Sequence, residues 1–448
     1  MNPYPPIVLV AAFSGWCLWR RYREGHLLAP ASGLHVQILI FFGLGGLAFV
    51  GFQNSDPLLA PEEVKHYAAL CCWPLALGYV AAVVLERRIF RPAPREEPVL
   101  TEAGILTPGA VSLLALLGFG GYVLEGRINV PGLQSVPSYF KILFFPGLFL
   151  SLTSTLSHRT ISKQVESLII VLASALALFT PWRSVLVLAI STILLAFALT
   201  RPSWLVPAYL LGVVSILVLV PFQNLKKADF SAFRRQPVAV LRESLSMPLA
   251  ERLAQVEELA RGRLDYVREM SYVQRALETS MPPRNGQTYV NIVSQLVPRI
   301  LWHNKPEMAH WAGFDLPREI GLLHKEDEYT SWAVDMFAEA TYNFGIWCLL
   351  WFVPLIFLIA RGIENLIVKL YSAPQAVLLA DVAFFFFFLD ITTVIFAASE
   401  AIALLLVVKV VDHSMTFLER QKPQATAPAF KRSRRRRAKA EQLPAAEP

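Results

Sequence analysis

Ionisable side chains are scarce in this sequence. Asp, Glu, Lys and Arg make up 17% of the 448 residues and hydrophobic residues 55%, whereas a typical soluble domain is about 25% charged. That balance excludes an ordinary water-facing surface over most of the chain. Cysteine is scarce too. Its four copies, Cys17, Cys71, Cys72 and Cys348, all lie within apolar blocks, and none forms a CxxC pair. A disulfide framework is excluded on that count, and so is a thiol nucleophile in the longest polar stretch, which has no cysteine. The four thiols read as small packing residues. No cleavable leader is expected, because Ile7 to Trp19 runs straight into Arg20, Arg21 and Arg23 without a small-residue cleavage site. Internal repeats of the inverted kind that mark many transporters are also missing.

What is present is a series of apolar blocks about 18 to 22 residues long. A hydrocarbon core about 30 Å thick takes about 20 helical residues to cross, so the chain reads as all-α, a polytopic integral membrane helical bundle. The expected spans are 7–19, 34–52, 66–85, 105–124, 136–156, 165–179, 185–199, 204–220, 337–359, 376–389 and 394–411. Short-loop arginines set the orientation. Arg20, Arg21 and Arg23, then Arg87, Arg88, Arg91 and Arg95, then His158, Arg159 and Lys163 follow alternate spans and are expected on the cytoplasmic side. The connection 53–65 carries Asp56, Glu62 and Glu63 and suits the outer side. An outward amino terminus and an inward basic tail require an odd number of crossings, and about eleven meets both conditions.

Four regions follow: 1–221 with spans one to eight, 222–332 as a mainly helical extracytoplasmic loop domain, 333–412 with spans nine to eleven, and 413–448 as a basic tail. The tail holds Lys431, Arg432, Arg434 to Arg437 and Lys439. It lacks apolar periodicity, is expected to be disordered and to lie against anionic membrane lipids; nucleic acid is not an expected partner. Much of the formal charge of +7 resides there.

In the loop, Leu249, Leu253, Val256, Leu264, Val267, Met270, Val273 and Leu277 recur at helical intervals. They predict one amphipathic helix, or a pair broken near Gly262. Ser246 before Pro248 is the start signal and Met281-Pro-Pro283 the stop. Arg261, Arg268 and Arg275 share a face, either as a solvated stripe or as a track for an anionic ligand. Farther on, Val297-Pro-Arg-Ile-Leu-Trp-His-Asn-Lys-Pro306 gathers cations, an aromatic platform and two prolines. Phe337-Ala-Glu339-Ala-Thr-Tyr-Asn-Phe-Gly345 places Glu339, Tyr342 and Asn343 at the outer mouth of a span, where a carboxylate is costly unless paired or functional. Glu326-Asp-Glu328 reads as a solvated run. The loop has no DxD-type pair, so no metal and no cofactor is expected.

At Gly286-Gln-Thr-Tyr289, Val297-Pro-Arg-Ile-Leu-Trp302, Lys305-Pro306 and Glu339-Ala-Thr-Tyr-Asn-Phe-Gly345 the sequence resembles the bacterial oligosaccharide repeat-unit polymerases, the Wzy-type O-antigen and exopolysaccharide polymerases. His303 stands where a proline is common in that family. Arg183, between two central spans, is similar to an arginine that many such enzymes carry. The resemblance implies a metal-independent GT-C-type glycosyltransferase at the outer face of the inner membrane, acting on undecaprenyl-diphosphate-linked oligosaccharide, with a flippase and a chain-length regulator as partners. It implies catalytic roles for Arg299, Glu339 and Arg183. Diphosphate contacts would come from Arg183, Arg299, Lys305, Arg275 and Arg268, and sugar contacts from Trp302, His303, Tyr342 and Asn343. His303 and His310 are alternative bases. An O-antigen ligase would share this architecture; a transporter or flippase would need ionisable residues deep in several spans, where the sequence shows mainly Asp381 and Asp390.

Overall fold

The computed structural model describes residues 2–51, 56, 58–89, 108–124, 143–157, 192–193, 196, 210, 217–218, 220–222, 224–225, 236–263, 266–289, 302, 312–325, 334–371, 374–389, 401–402, 404–410 and 412–413. Every regular element among them is helical. Helix α1 covers Tyr4–Arg23, α2 Pro30–Gly51 and α3 Pro61–Ile89. Then come α4 (Pro108–Leu124) and α5 (Phe144–Ser157). The polar stretch supplies α6 (Pro237–Ser246), α7 (Leu249–Arg263), α8 (Tyr266–Thr279) and α9 (Ala312–Glu319). Helices α10 (Met336–Phe344), α11 (Ile346–Leu370) and α12 (Pro374–Leu389) follow. Expected spans six to eight fall largely outside the described residues, as do half of span eleven and nearly all of the tail.

Among the described residues, three helices are long and apolar enough to cross a membrane: α2 with 22 residues, α3 with 29 and α11 with 25. At 1.5 Å per residue, even α2 reaches about 33 Å. Their outward faces remain apolar, with Leu44, Leu77, Val84, Leu355 and Ile359 exposed. Such faces suit hydrocarbon rather than water.

The helices run up and down between two ends. At one end Arg21 of α1 meets Ser32 of α2, Glu86 of α3 and Glu364 of α11. At the other, Ile7 of α1 and Val267 of α8 both border Gly46 of α2. Close approach depends on small residues. A Cβ on Gly78 of α3 would overlap the Leu349 carbonyl of α11, and one on Gly33 of α2 the Phe385 carbonyl of α12. The final stretch returns beside α11, where the Tyr371 hydroxyl donates to the Leu405 carbonyl at 2.8 Å.

Helix α2 contains a π-helical segment, Ile38–Leu44. Its wider turn directs two successive aromatics at the polar-stretch helix: Phe41 stacks on Tyr266 at 4.3 Å, and Phe42 meets Tyr266 at 5.7 Å and Phe337 at 5.2 Å.

Two boundaries differ from the sequence reading. The expected ninth span, 337–359, is divided at Gly345, whose φ of 76° and ψ of 166° end α10 before α11 begins. An apolar run continues across this break, so periodicity alone hides it. Ser246 closes α6 instead of opening the next helix, and its hydroxyl donates to the Glu243 carbonyl at 2.9 Å. The amphipathic segment is a pair, α7 and α8, and α8 stops before Met281-Pro-Pro283 as expected.

Candidate functional site

The site forms where α8, α10 and the turn after α8 meet. Helix α8 buries Val267, Met270, Val273 and Ala276 and packs against α10 and the start of α3. It is also fastened to the 53–65 connection: the Tyr272 hydroxyl donates to Asp56 at 2.7 Å, and Arg275 donates to the Leu58 carbonyl at 2.8 Å with Glu63 at 3.5 Å. Tyr67 of α3 donates in turn to Glu278 at 3.1 Å. The acidic connection and the polar stretch therefore share one end of the bundle.

After Pro282 and Pro283 the chain turns through Asn285 (φ 50°) and Gly286 (φ 82°), a left-handed pair that asparagine and glycine accept at least cost. The turn lays its backbone on the end of α10. Arg284 N–H donates to the Tyr342 carbonyl at 3.1 Å and Asn285 N–H to the Asn343 carbonyl at 2.8 Å. These acceptors are among the last carbonyls of a helix, which have no partner within it.

That docking seats Thr288 against Glu339. The Thr288 hydroxyl donates to Glu339 Oε1 at 2.8 Å and accepts from Asn343 Nδ2 at 2.7 Å. Asn343 Nδ2 also reaches the Glu339 carbonyl at 2.9 Å. Glu339 is only 1% exposed, with Thr288 and Asn343 buried beside it. A carboxylate so deep requires partners, and two sequence motifs about fifty residues apart supply them.

On the adjoining side, the Tyr342 hydroxyl donates to Glu319 at 2.7 Å and accepts from Arg284 Nε at 3.0 Å, while Arg284 and Glu319 form an ion pair. Arg284 remains 39% exposed at this rim. Asp335 caps α10 by accepting from the Phe337 and Ala338 amides, both at 3.1 Å. Its own amide donates to Glu269 at 3.1 Å. Burial, then the Glu269 charge, holds the Asp335 carboxyl well above the usual carboxylate range.

Of the residues singled out from sequence, Glu339, Tyr342 and Asn343 thus share α10. Arg275 and Arg268 lie on the neighbouring α8; Arg275 clamps the connection, and Arg268 lies 5.9 Å from the Tyr272 ring. Trp302 is 40% exposed. Arg183, Arg299, His303, Lys305 and His310 lie outside the described residues, as does the Arg261 side chain. Arg284, Thr288, Glu319 and Asp335 were not assigned roles from sequence. The double proline followed by Arg-Asn-Gly was the available signal for Arg284. Among the described residues, no group of three His, Cys, Asp or Glu side chains is arranged to hold a metal.

At the other end lies a second charged cluster that hydropathy concealed. Arg21 donates to Ser32 at 2.6 Å, to Glu86 at 2.9 Å and to Glu364 at 2.5 Å. Arg361 pairs with Glu364 and lies 3.3 Å from Glu86. Arg21, Arg361 and Glu364 are all buried.

No family model, curated protein or solved structure matches this chain.

Proposed function

We propose that the chain is a membrane glycosyltransferase that polymerises lipid-linked oligosaccharide repeat units into a surface polysaccharide, with an undecaprenyl-diphosphate donor and no metal. The observation that carries this reading is the Glu339 carboxylate. It sits at the head of an apolar helix, oriented by Thr288 and Asn343, with the guanidinium of Arg284 one helical turn away beside Tyr342.

In the proposed reaction Glu339 takes the proton of the acceptor hydroxyl. That oxygen bonds to the anomeric carbon of the donor, and the carbon–oxygen bond to the lipid diphosphate breaks. The diphosphate leaves with the electron pair. Arg299, Arg183 and Lys305, as the family resemblance suggests, stabilise its growing negative charge, and Arg284 adds a fourth cation at the rim. Arg275 and Arg268 guide the anionic substrate towards them. Trp302 and His303 receive the sugars, and Tyr342 and Asn343 hold Arg284 and Thr288 in place.

The Glu339 end then faces the periplasm and the Arg21 end the cytoplasm. The chain crosses the inner membrane about eleven times, with its amino terminus outside and its basic tail inside. A flippase supplies the donor from the inner leaflet, and a chain-length regulator acts on the product.

The deciding experiment is turnover by the purified chain of a defined undecaprenyl-diphosphate oligosaccharide. A ladder of products is expected. A single transfer to a different acceptor would make the chain a ligase, and no transfer at all would remove it from the glycosyltransferases.

A further inference from the structure

At the end opposite Glu339, α1, α2, α3 and α11 border a half-open cavity of about 500 Å³ whose wall includes Trp16, Arg20, Arg21, Arg87 and Arg361 together with Glu24 and Glu86. Its charges do not cancel. Arg21 and Arg361 are matched by Glu86 and Glu364 in the buried cluster. Arg20 pairs with Glu24 at 2.6 Å, one turn along α1 and about one-third exposed. Arg87 lies 4.8 Å from the centre of the Trp16 ring, and no carboxylate among the described residues forms an ion pair with it. One guanidinium is therefore in surplus and a second is held only by an exposed partner.

The surroundings indicate what such a cavity takes. Trp16, Trp19 and Tyr22 are exposed along the outer side of α1, and the Arg23 guanidinium lies 5.1 Å from the Trp19 ring. Aromatic rings paired with arginines are the side chains of a membrane–water boundary. Apolar surface leads away from it. Leu9 precedes Trp16 by seven residues on α1, and Val84 and Leu77 precede Arg87 by three and ten on α3, so each lies on the matching face. All three are exposed. A free phosphate would use only the guanidinium end of this feature; a lipid would use both ends.

We infer that this cavity binds the phosphodiester headgroup of an anionic phospholipid, with Arg87 and Arg20 on the phosphate, Trp16 against the glycerol and the acyl chains along α1 and α3. The inference is independent of the chemistry at Glu339. Headgroup binding would tie α1 to α3 beside the buried cluster and make the bundle responsive to the charge of its bilayer.

The test counts lipid retained by the detergent-purified full chain in native mass spectrometry, after titration with phosphatidylglycerol or with phosphatidylcholine. A third arm adds inorganic phosphate as competitor. The parent is expected to prefer phosphatidylglycerol, and Arg20→Gln with Arg87→Gln to lower its retention roughly tenfold or more. Arg20→Lys with Arg87→Lys should retain most of it. Neither arginine belongs to the buried cluster, so these variants should fold, and their melting temperatures verify that. To separate the cavity from the basic tail, Arg434, Arg435, Arg436 and Arg437 are changed to Gln in a separate variant, which should keep the parent's preference for phosphatidylglycerol. Equal retention by the Arg20→Gln, Arg87→Gln variant overturns the proposal, as does loss confined to the tail variant. Displacement of phosphatidylglycerol by inorganic phosphate, with phosphate alone raising the melting temperature, would assign the cavity to a free anion instead.

Discussion

Glu339 is held so that its charge and its geometry can be separated by substitution. Glutamine keeps an oxygen for the Thr288 hydroxyl and removes the basic carboxylate. Under the proposed mechanism Glu339→Gln lowers kcat about 10²- to 10⁴-fold, with KM nearly unchanged, in the turnover assay. Thr288→Val tests the support instead: it takes one partner from both Glu339 and Asn343, and its expected cost is about 1–3 kcal/mol of stability, read from detergent melting. Asp335 is informative in a different way. Its pKa in the folded chain is raised above the ordinary 3.8 by burial and by Glu269. The folded state therefore binds its proton more tightly than the unfolded state does. Stability from this group is complete below about pH 4 and declines as pH rises towards the folded pKa. Asp335→Asn retains a capping oxygen without that decline. Its melting temperature should equal the parent's near pH 4 and exceed it at pH 7. An advantage that shrinks with rising pH would refute the assignment.

Among the elements, α10 matters because it is distinct from α11. Gly345 separates them with a backbone conformation that only glycine adopts readily, φ 76° and ψ 166°. Without it, the two helices would merge into the single span that hydropathy suggests and Glu339 would be carried along the α11 axis. Gly345→Ala should cost about 1–3 kcal/mol in melting experiments and depress turnover more than an alanine elsewhere on α11. The hydropathy of 337–359 was legible as a membrane-entry segment, and Glu339 as its unusual member. The break was not, since a glycine within an apolar run reads equally well as close packing. Gly78 is that other case: it lets α3 rest on the Leu349 carbonyl.

Over the whole molecule, the two charged ends define the topology to be tested. Cysteine labelling suits it, because all four native cysteines are buried. Glu62→Cys, at a side chain 88% exposed near the α8 end, should react with a membrane-impermeant maleimide on intact cells whose outer membrane is permeable. Arg88→Cys, exposed at the opposite end, should react only after the inner membrane is opened. The reverse pattern would invert the proposed orientation, and equal labelling would reject it. The alternate placement of short-loop arginines foretold the two-ended arrangement among the described helices, since Arg21 and Glu86 share one end and Asp56 and Glu63 the other.

The sequence alone determined the helical class and the apolar segments long enough for a bilayer. Each depends on composition and spacing within one stretch of chain. The tertiary structure decided which distant stretches meet. It seated Thr288 on Glu339, closed Arg284 over Tyr342 and Glu319, turned Arg275 onto the Leu58 carbonyl, and gathered Arg21, Glu86, Arg361 and Glu364 into one buried cluster. A buried charge needs a partner at about 3 Å, and that partner can come from anywhere along the chain.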